Sequence, residues 1–248
     1  PSEITPLSAF HLSKICKEAG LPAGVLNIVH GQGARAGEEI VKHDRIKAIS
    51  FTGGTATSER IASIAAPKFK KLSLELGGKN PNIIFDDCNY DRALEYAVRA
   101  AYSNQGEICL CGSRIFVQEA IFEQFRDDFV DKVKELEVGD PLEETSDLGA
   151  VVSESHMEKI LSYIKLAKEE GGNILCGGER IKMKGRCENG YFIQPTAIDG
   201  LPQACRTNRE EIFGPVATLI PFDEESEVID YANDVPYGLS ATIWTENL

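Results

Sequence analysis

Three observations predict an α/β protein built on parallel strands. Helical and strand periodicities alternate along the chain, the candidate strands are short and apolar, and glycines stand where strands give way to helices. Ala9, Leu12, Ile15, Cys16 and Ala19 recur at helical spacing and stop at Gly20, a residue suited to the left-handed turn that ends a helix. Val25-Leu26-Asn27-Ile28-Val29 reads as a short buried strand ending at Gly31, and a short helix is expected over 35–42. Ile46 to Phe51 is the next strand and enters the turn Thr52-Gly53-Gly54-Thr55. Ile61, Ile64 and Ala65 mark the following helix, and Leu72-Ser73-Leu74-Glu75 is a third strand. Strands joined through helices in this way form parallel β-α-β units with right-handed crossovers.

The double glycine Gly77-Gly78 sets a domain boundary, dividing the chain into 1–77 and 78–248. Beyond it, Leu94, Ala97, Val98 and Ala101 form one face of a helix that breaks near Gly106. Arg114 to Gln118 reads as a strand. Ile121, Phe122, Phe125, Phe129, Val133 and Leu136 mark a strongly amphipathic helix, and Asp140-Pro141 opens a loop. Met157, Ile160, Leu161 and Ile164 define a helix ending near Gly171-Gly172. Tyr191-Phe192-Ile193 and Val216 to Phe222 are expected strands, Glu224 to Asn233 a helix, and Ser240 to Thr245 a last strand.

Composition excludes several classes. With 248 residues and 42% hydrophobic content the chain can bury a core. No apolar run approaches the length of a membrane span. A net charge of −13 argues against non-specific binding of nucleic acid or anionic membrane, which needs basic patches. The seven cysteines are odd in number and show no framework spacing, so reduced thiols in a reducing compartment are expected. Cys109-Leu110-Cys111 is CxC rather than CxxC, and no paired Cys or His follows at zinc-ligand spacing, so no metal site is expected.

Chemistry concentrates in two glycine-framed segments: Glu75-Leu76-Gly77-Gly78-Lys79, and Asn104-Gln105-Gly106-Glu107-Ile108-Cys109-Leu110-Cys111. A thiolate can attack a carbonyl carbon, and a carboxylate can activate water to release the acyl group that results. The polar stretch before Cys109 exposes backbone donors able to activate a thiol and hold an oxyanion, and by this logic Cys111 qualifies equally. Glu75 lies in an apolar strand, where most glutamates point to solvent and one aimed at a pocket gains basicity from desolvation.

Phosphate-binding features are also present. Gly31-Gln32-Gly33-Ala34-Arg35-Ala36 fits the G-x-G-x-x-G/A pattern, but residues 50–57 hold no ribose-binding acid. Phe51-Thr52-Gly53-Gly54-Thr55 joins a strand to a helix whose free N–H groups can meet a phosphate, or is simply a tight turn. In Glu210-Glu211-Ile212-Phe213-Gly214-Pro215 an acid can hold ribose hydroxyls and a ring can pack on a planar cofactor; an ordinary charged turn fits as well. His11, His30, His43 and His156 stand in plain contexts, His156 near a helix start.

These motifs, together with Thr5-Pro6-Leu7-Ser8-Ala9 and Tyr237-Gly238-Leu239, agree in order and spacing with the aldehyde dehydrogenase superfamily, which the chain resembles over essentially its whole length. The Glu107 to Cys111 wording is most similar to the 2-aminomuconic semialdehyde dehydrogenase branch. The resemblance implies the later part of a Rossmann-like parallel-sheet cofactor domain over 1–77, followed by most of an α/β catalytic domain over 78–248. It also implies an internal segment covering about half of the family chain, homo-oligomeric at full length. It selects Cys109 as nucleophile, with its backbone N–H as half of the oxyanion hole, and Glu75 as general base.

Gly33, Phe51, Thr52, Gly53, Gly54 and Leu76 fall at cofactor-binding positions, with Gly54 replacing a serine common in the family. Glu3 matches the acid near the adenosine ribose and favours NAD over NADP by repelling a 2′-phosphate. Glu211 matches the ligand of the nicotinamide ribose, and Phe213 the ring beside nicotinamide. The implied reaction oxidises a small aldehyde to a carboxylic acid through a thiohemiacetal and a thioester on Cys109. Read from residues alone, a cofactor-free thiol acyltransferase or hydrolase, or a non-catalytic binding protein of the same fold, would share much of this pattern.

Overall fold

The computed structural model describes residues 1–247 and divides the chain into two units, Pro1–Leu76 and one beginning at Gly77. The first unit opens with α1 (Leu7–Glu18), which stops where Gly20 takes φ +80° and the Leu21 N–H donates to the Cys16 carbonyl. No residue of α1 is buried.

The strand expected over 25–29 does not form. Those residues belong to no ladder, and Val25 and Val29 are exposed. A strand exists only through a neighbour that takes its hydrogen bonds, and in this unit the sheet contains only β1 (Ala48–Thr52) and β2 (Lys71–Glu75). The helix expected over 35–42 is split into a π-turn at Gly33–Gly37 and α2 (Glu38–Lys42). β1 and β2 pair in parallel from Ala48↔Lys71 to Thr52↔Glu75, joined through α3 (Thr55–Ala65) as a β-α-β unit. Arg60 of α3 donates twice to the Glu38 carboxylate of α2, at 3.1 Å each. The buried Lys70 amine donates to the Val41 and His43 carbonyls.

The second unit contains β3 (Pro81–Ile84), α4 (Tyr90–Tyr102), β4 (Arg114–Gln118), α5 (Glu119–Lys134), α6 (Glu154–Glu169), β5 (Asn173–Cys176), β6 (Arg180–Ile181), β7 (Phe192–Ile193), β8 (Thr196–Asp199), α7 (Arg206–Arg209), β9 (Val216–Phe222), α8 (Glu225–Asn233) and β10 (Thr242–Trp244). Six strands form one sheet in the order β10-β3-β4-β9-β8-β5, parallel except for the β5–β8 pair; β6 and β7 form a separate hairpin ladder. Both faces of the sheet are covered, as parallel sheets require. Ile115 and Val117 of β4 pack with Tyr102, Phe125 and Phe129 of α4 and α5. Phe116, between them, points the other way and packs with Ile83, Ile220 and Val228. A third cluster seats Ile160 and Ile164 of α6 against Ile198 and Val216.

Candidate active site

Cys109 is carried on the loop between α4 and β4, and the sequence of that loop is matched to a backbone few residues tolerate. Asn104, Gln105 and Gly106 all take left-handed φ values, 50°, 57° and 71°. For the two that are not glycine such values cost on the order of 1–3 kcal/mol each and persist only where surroundings impose them. Here Gln105 is held at both ends of its amide: the Gly149 N–H donates to Oε1 at 3.0 Å, and Nε2 donates to the Ala150 carbonyl at 3.4 Å. Gly106 is required because a Cβ there would stand 2.1 Å from the Gly214 carbonyl oxygen. The loop therefore lies backbone against backbone on the segment carrying Phe213.

Two residues before β3 complete the mounting. The buried Asn80 amide donates to the Cys109 carbonyl at 2.7 Å and the Cys111 carbonyl at 3.1 Å, and accepts from the Ser240 N–H at 3.1 Å. Gly78 admits this approach: a Cβ on it would fall 2.8 Å from the Cys109 carbonyl oxygen. With its carbonyl so fixed, the Cys109 N–H has no acceptor among the described residues. The structure also separates the two thiols. Cys109 is half-buried on a cleft, whereas Cys111 is buried, with burial pushing its thiol up and Sγ directed at the Ser103 carbonyl. A buried thiol of raised pKa is a poor nucleophile.

The cleft, about 20 Å³ in volume, is lined by Gly78, Lys79, Gly106, Cys109, Glu211 and Phe213, among others. Of the paired acids, Glu210 is committed to Arg206 at 2.7 Å and to the Tyr163 hydroxyl. Glu211 instead accepts the Gly78 N–H at 3.1 Å, and a Cβ on Gly77 would meet its carboxylate at 2.5 Å. Lys159 of α6 donates to the Glu211 carbonyl at 3.1 Å.

Phe213 takes φ +62°, and its carbonyl lies 2.6 Å from His156 Nε2. A carbonyl only accepts, so His156 carries its proton on Nε2. Nε2 also lies 3.3 Å from Glu107 Oε1, and Glu107 accepts the Val152 N–H at 3.1 Å. Burial lowers the His156 pKa and raises that of Glu107. Lys79 is 3% exposed, and burial, reinforced by the Arg114 charge, pushes its amine down to about 7. Arg114, fully buried, fixes this corner by donating to the Lys79, Tyr231 and Ala232 carbonyls, each at 2.8 Å.

The first unit gathers a second group of expected residues at the carboxyl ends of its two strands. Parallel register sets Thr52 opposite Glu75, and the Gly53 N–H donates to the Glu75 carbonyl at 3.0 Å. The Phe51 ring lies over Gly53, where a Cβ would come 2.6 Å from Cζ. Gly54 is the N-cap of α3, so the first-turn N–H groups of that helix open beside the Thr52–Gly53 turn. Glu75 is exposed, and Leu76 follows it directly. Glu3 and Gly33, expected at the same cofactor, are exposed, and among the described residues no hydrogen bond or ion pair joins them to these strand ends.

Sequence reasoning missed Asn80, the buried state of Lys79, and the His156–Glu107 contact. Asn80-Pro81 reads as a turn signal, and a side chain clamping carbonyls 29 and 31 residues away leaves no local trace. For His156 the only signal is the helix start, where its N–H donates to Ser153 at 3.3 Å. Among the described residues no group of three or more His, Cys, Asp or Glu is placed to hold a metal, and no helix is long and apolar enough to cross a membrane.

The chain is similar to known proteins. A family profile described as "Aldehyde dehydrogenase family" matches residues 1–248. The chain is 48% identical over 250 aligned positions to 2-aminomuconic semialdehyde dehydrogenases of Bos taurus and Homo sapiens, covering 100% of itself and 51% of each. It is 44% identical to 5-carboxymethyl-2-hydroxymuconate semialdehyde dehydrogenase of Escherichia coli, covering 53% of that protein. The chain thus spans about half the length of the curated relatives it matches. Betaine aldehyde dehydrogenase from Staphylococcus aureus, solved in complex with NAD+, superposes with a TM-score of 0.95 at 38% identity, over 100% of this chain and 49% of that one.

Proposed function

Because the chain belongs to the aldehyde dehydrogenase family, we propose that it is the part of an NAD-dependent aldehyde dehydrogenase that carries the nucleophile, Cys109, and the general base, Glu75. The observation that bears most weight is the mounting of Cys109. Its carbonyl is clamped by Asn80 while its N–H is left without an acceptor, in a cleft shared with Glu211. A thiol beside a preorganised backbone donor suits attack on a carbonyl and retention of the oxyanion.

The residues present suit a dinucleotide. The α3 N-terminus beside Thr52, Gly53 and Gly54 offers free N–H groups to a phosphate, with Phe51, Leu76, Gly33 and Glu3 as further contacts. Glu211, cradled where Gly77 has no side chain, would offer acceptors to ribose hydroxyls, and Phe213 would offer a ring to the nicotinamide. Bound NAD supplies a hydride acceptor.

Cys109 Sγ adds to the aldehyde carbon to give a thiohemiacetal, and the Cys109 N–H holds the oxygen that bears the developing charge. Once hydride has left, Cys109 carries a thioester. Glu75 then takes a proton from water, the water attacks the acyl carbon, and the carboxylic acid departs with the thiolate restored. The names of the relatives favour a semialdehyde of the muconic type as substrate. We place the full-length enzyme in the cytoplasm as a homo-oligomer; seven free thiols suit a reducing compartment.

The test is NADH formation by the full-length protein across a panel of aldehydes that includes a muconic semialdehyde. Wild-type enzyme is expected to form NADH. Cys109→Ala should lower kcat by 10³-fold or more, on the order expected for a lost nucleophile, and Glu75→Gln should stall at the thioester with a burst of about one NADH per site. Turnover by Cys109→Ala at the wild-type rate would remove the nucleophile assignment.

A further inference from the structure

A second cleft, of about 320 Å³, shares Ile108 and Cys111 of the nucleophile loop with the first and is further lined by Tyr96, Arg99, Ala100, Ser103 and Leu110. One wall is the stripe Tyr96, Arg99, Ala100 and Ser103 along α4, at the three- and four-residue steps of one helix face. The opposite wall is Ile108 and Leu110, the residues on either side of Cys109, which are 37% and 57% exposed. Apolar side chains left open immediately beside a nucleophile form the surface over which a substrate's carbon chain lies.

Arg99 is the one charged residue lining this cleft. Among the described residues no carboxylate forms an ion pair with it. It also borders the adjoining groove that holds Glu95, Glu135 and Asp147 together with Lys132. With three acids against one lysine that groove is the less favourable side for an anion, and the apolar side is left as its approach. On a chain of net charge −13, a single unpaired guanidinium over an apolar floor is a selective anchor for a carboxylate.

We propose that Arg99 is a specificity-determining residue that receives the distal carboxylate of an aldehyde substrate while its carbon chain lies between Tyr96 and the Ile108–Leu110 wall. The assignment rests on the dehydrogenase reading above and names the substrate class of that site, ω-carboxylated aldehydes. The guanidinium provides a forked, permanently charged donor, so a lysine at this place would replace the charge but not the bidentate geometry.

The experiment uses the full-length enzyme and a matched six-carbon pair, 6-oxohexanoate and hexanal, and reads the ratio of their kcat/KM values. The wild-type ratio should favour the carboxylate. Arg99→Gln should lower that ratio about 10–100-fold, the effect of losing a charge-assisted hydrogen bond, and Arg99→Lys should restore part of it. A merely structural role would depress both substrates together and leave the ratio unchanged, and that result overturns the assignment, as does a wild-type preference for hexanal.

If the wild-type enzyme forms no NADH with any aldehyde, the dehydrogenase reading itself fails, a distinct result that removes this assignment with it. Should Arg99→Gln fail to fold, salt decides. A KM that rises with ionic strength for 6-oxohexanoate but not for hexanal supports the anchor, and equal sensitivity overturns it.

Discussion

Lys79 is 3% exposed and lines the cleft that holds Cys109. It belongs to the motif that drew attention to Glu75, yet nothing in Gly77-Gly78-Lys79-Asn80 says that this lysine is buried while its neighbour Asn80 reaches across to the nucleophile loop. Burial holds its amine at about 7, against an ordinary value of 10.5. The sign follows from linkage. The unfolded chain takes up this proton as pH falls below 10.5 while the folded chain resists until about 7, so Lys79 makes stability rise with pH across that window. The slope is at most about 1.4 kcal/mol per pH unit. Urea unfolding of wild type and Lys79→Met at pH 7 and pH 9, with thiols kept reduced, should show wild type gaining on the variant at the higher pH. Equal shifts in the two would mean that the amine titrates normally. Cys109, Glu211 and Phe213 could be named only through the family resemblance, because their own residues left Cys111 equal to Cys109 and an ordinary charged turn open at 210–215. Asn80 and His156 could not, because their partners are distant and their own surroundings are plain.

Elements were legible where their own residues carry the pattern. The amphipathic faces of α4, α5 and α6 and the apolar runs of β4 and β9 stand in the structure as periodicity predicts. β3 was missed because it is four residues long, starts at a proline and is buried on both faces, so it shows no alternation. The strand over 25–29 was predicted from composition but has no neighbour to pair with. Asn80 belongs to this scale, because its one amide joins the start of β3, the Cys109 loop and the segment before β10. Asn80→Ala should leave the buried Cys111 carbonyl without its donor, at about 1–3 kcal/mol for the unsatisfied group, and release the part-buried Cys109 carbonyl and Ser240 N–H to water. Activity should fall further than global stability explains, because the loop that aims Cys109 would be freed. The check is kcat measured beside a denaturation curve. A variant that loses several kcal/mol of stability yet keeps wild-type kcat when folded would show that the clamp supports the fold but not the nucleophile.

At the scale of the whole molecule the two units differ in how much they bury. The second has three apolar clusters around a six-stranded sheet, whereas the first has a two-stranded sheet and a first helix with no buried residue. Leu7, Ile15 and Val25 are among its exposed apolar side chains. Segments with few buried contacts open first. Brief proteolysis of the 248-residue chain, followed by mass spectrometry, should therefore cut within residues 1–46 before it cuts the second unit. Early cuts across β4 or β9 would contradict this ordering.

The link from Ser240 to Asn80 also has a meaning in time. It spans 160 residues and gives Oδ1 a donor, while Nδ2 serves the carbonyls of the nucleophile loop. While the chain emerges from the ribosome, Cys109 and Cys111 appear long before Ser240, and their two carbonyls already fix which way round the amide sits. The clamp on the reactive loop is thus oriented early and completed late, when the segment before β10 brings the third hydrogen bond.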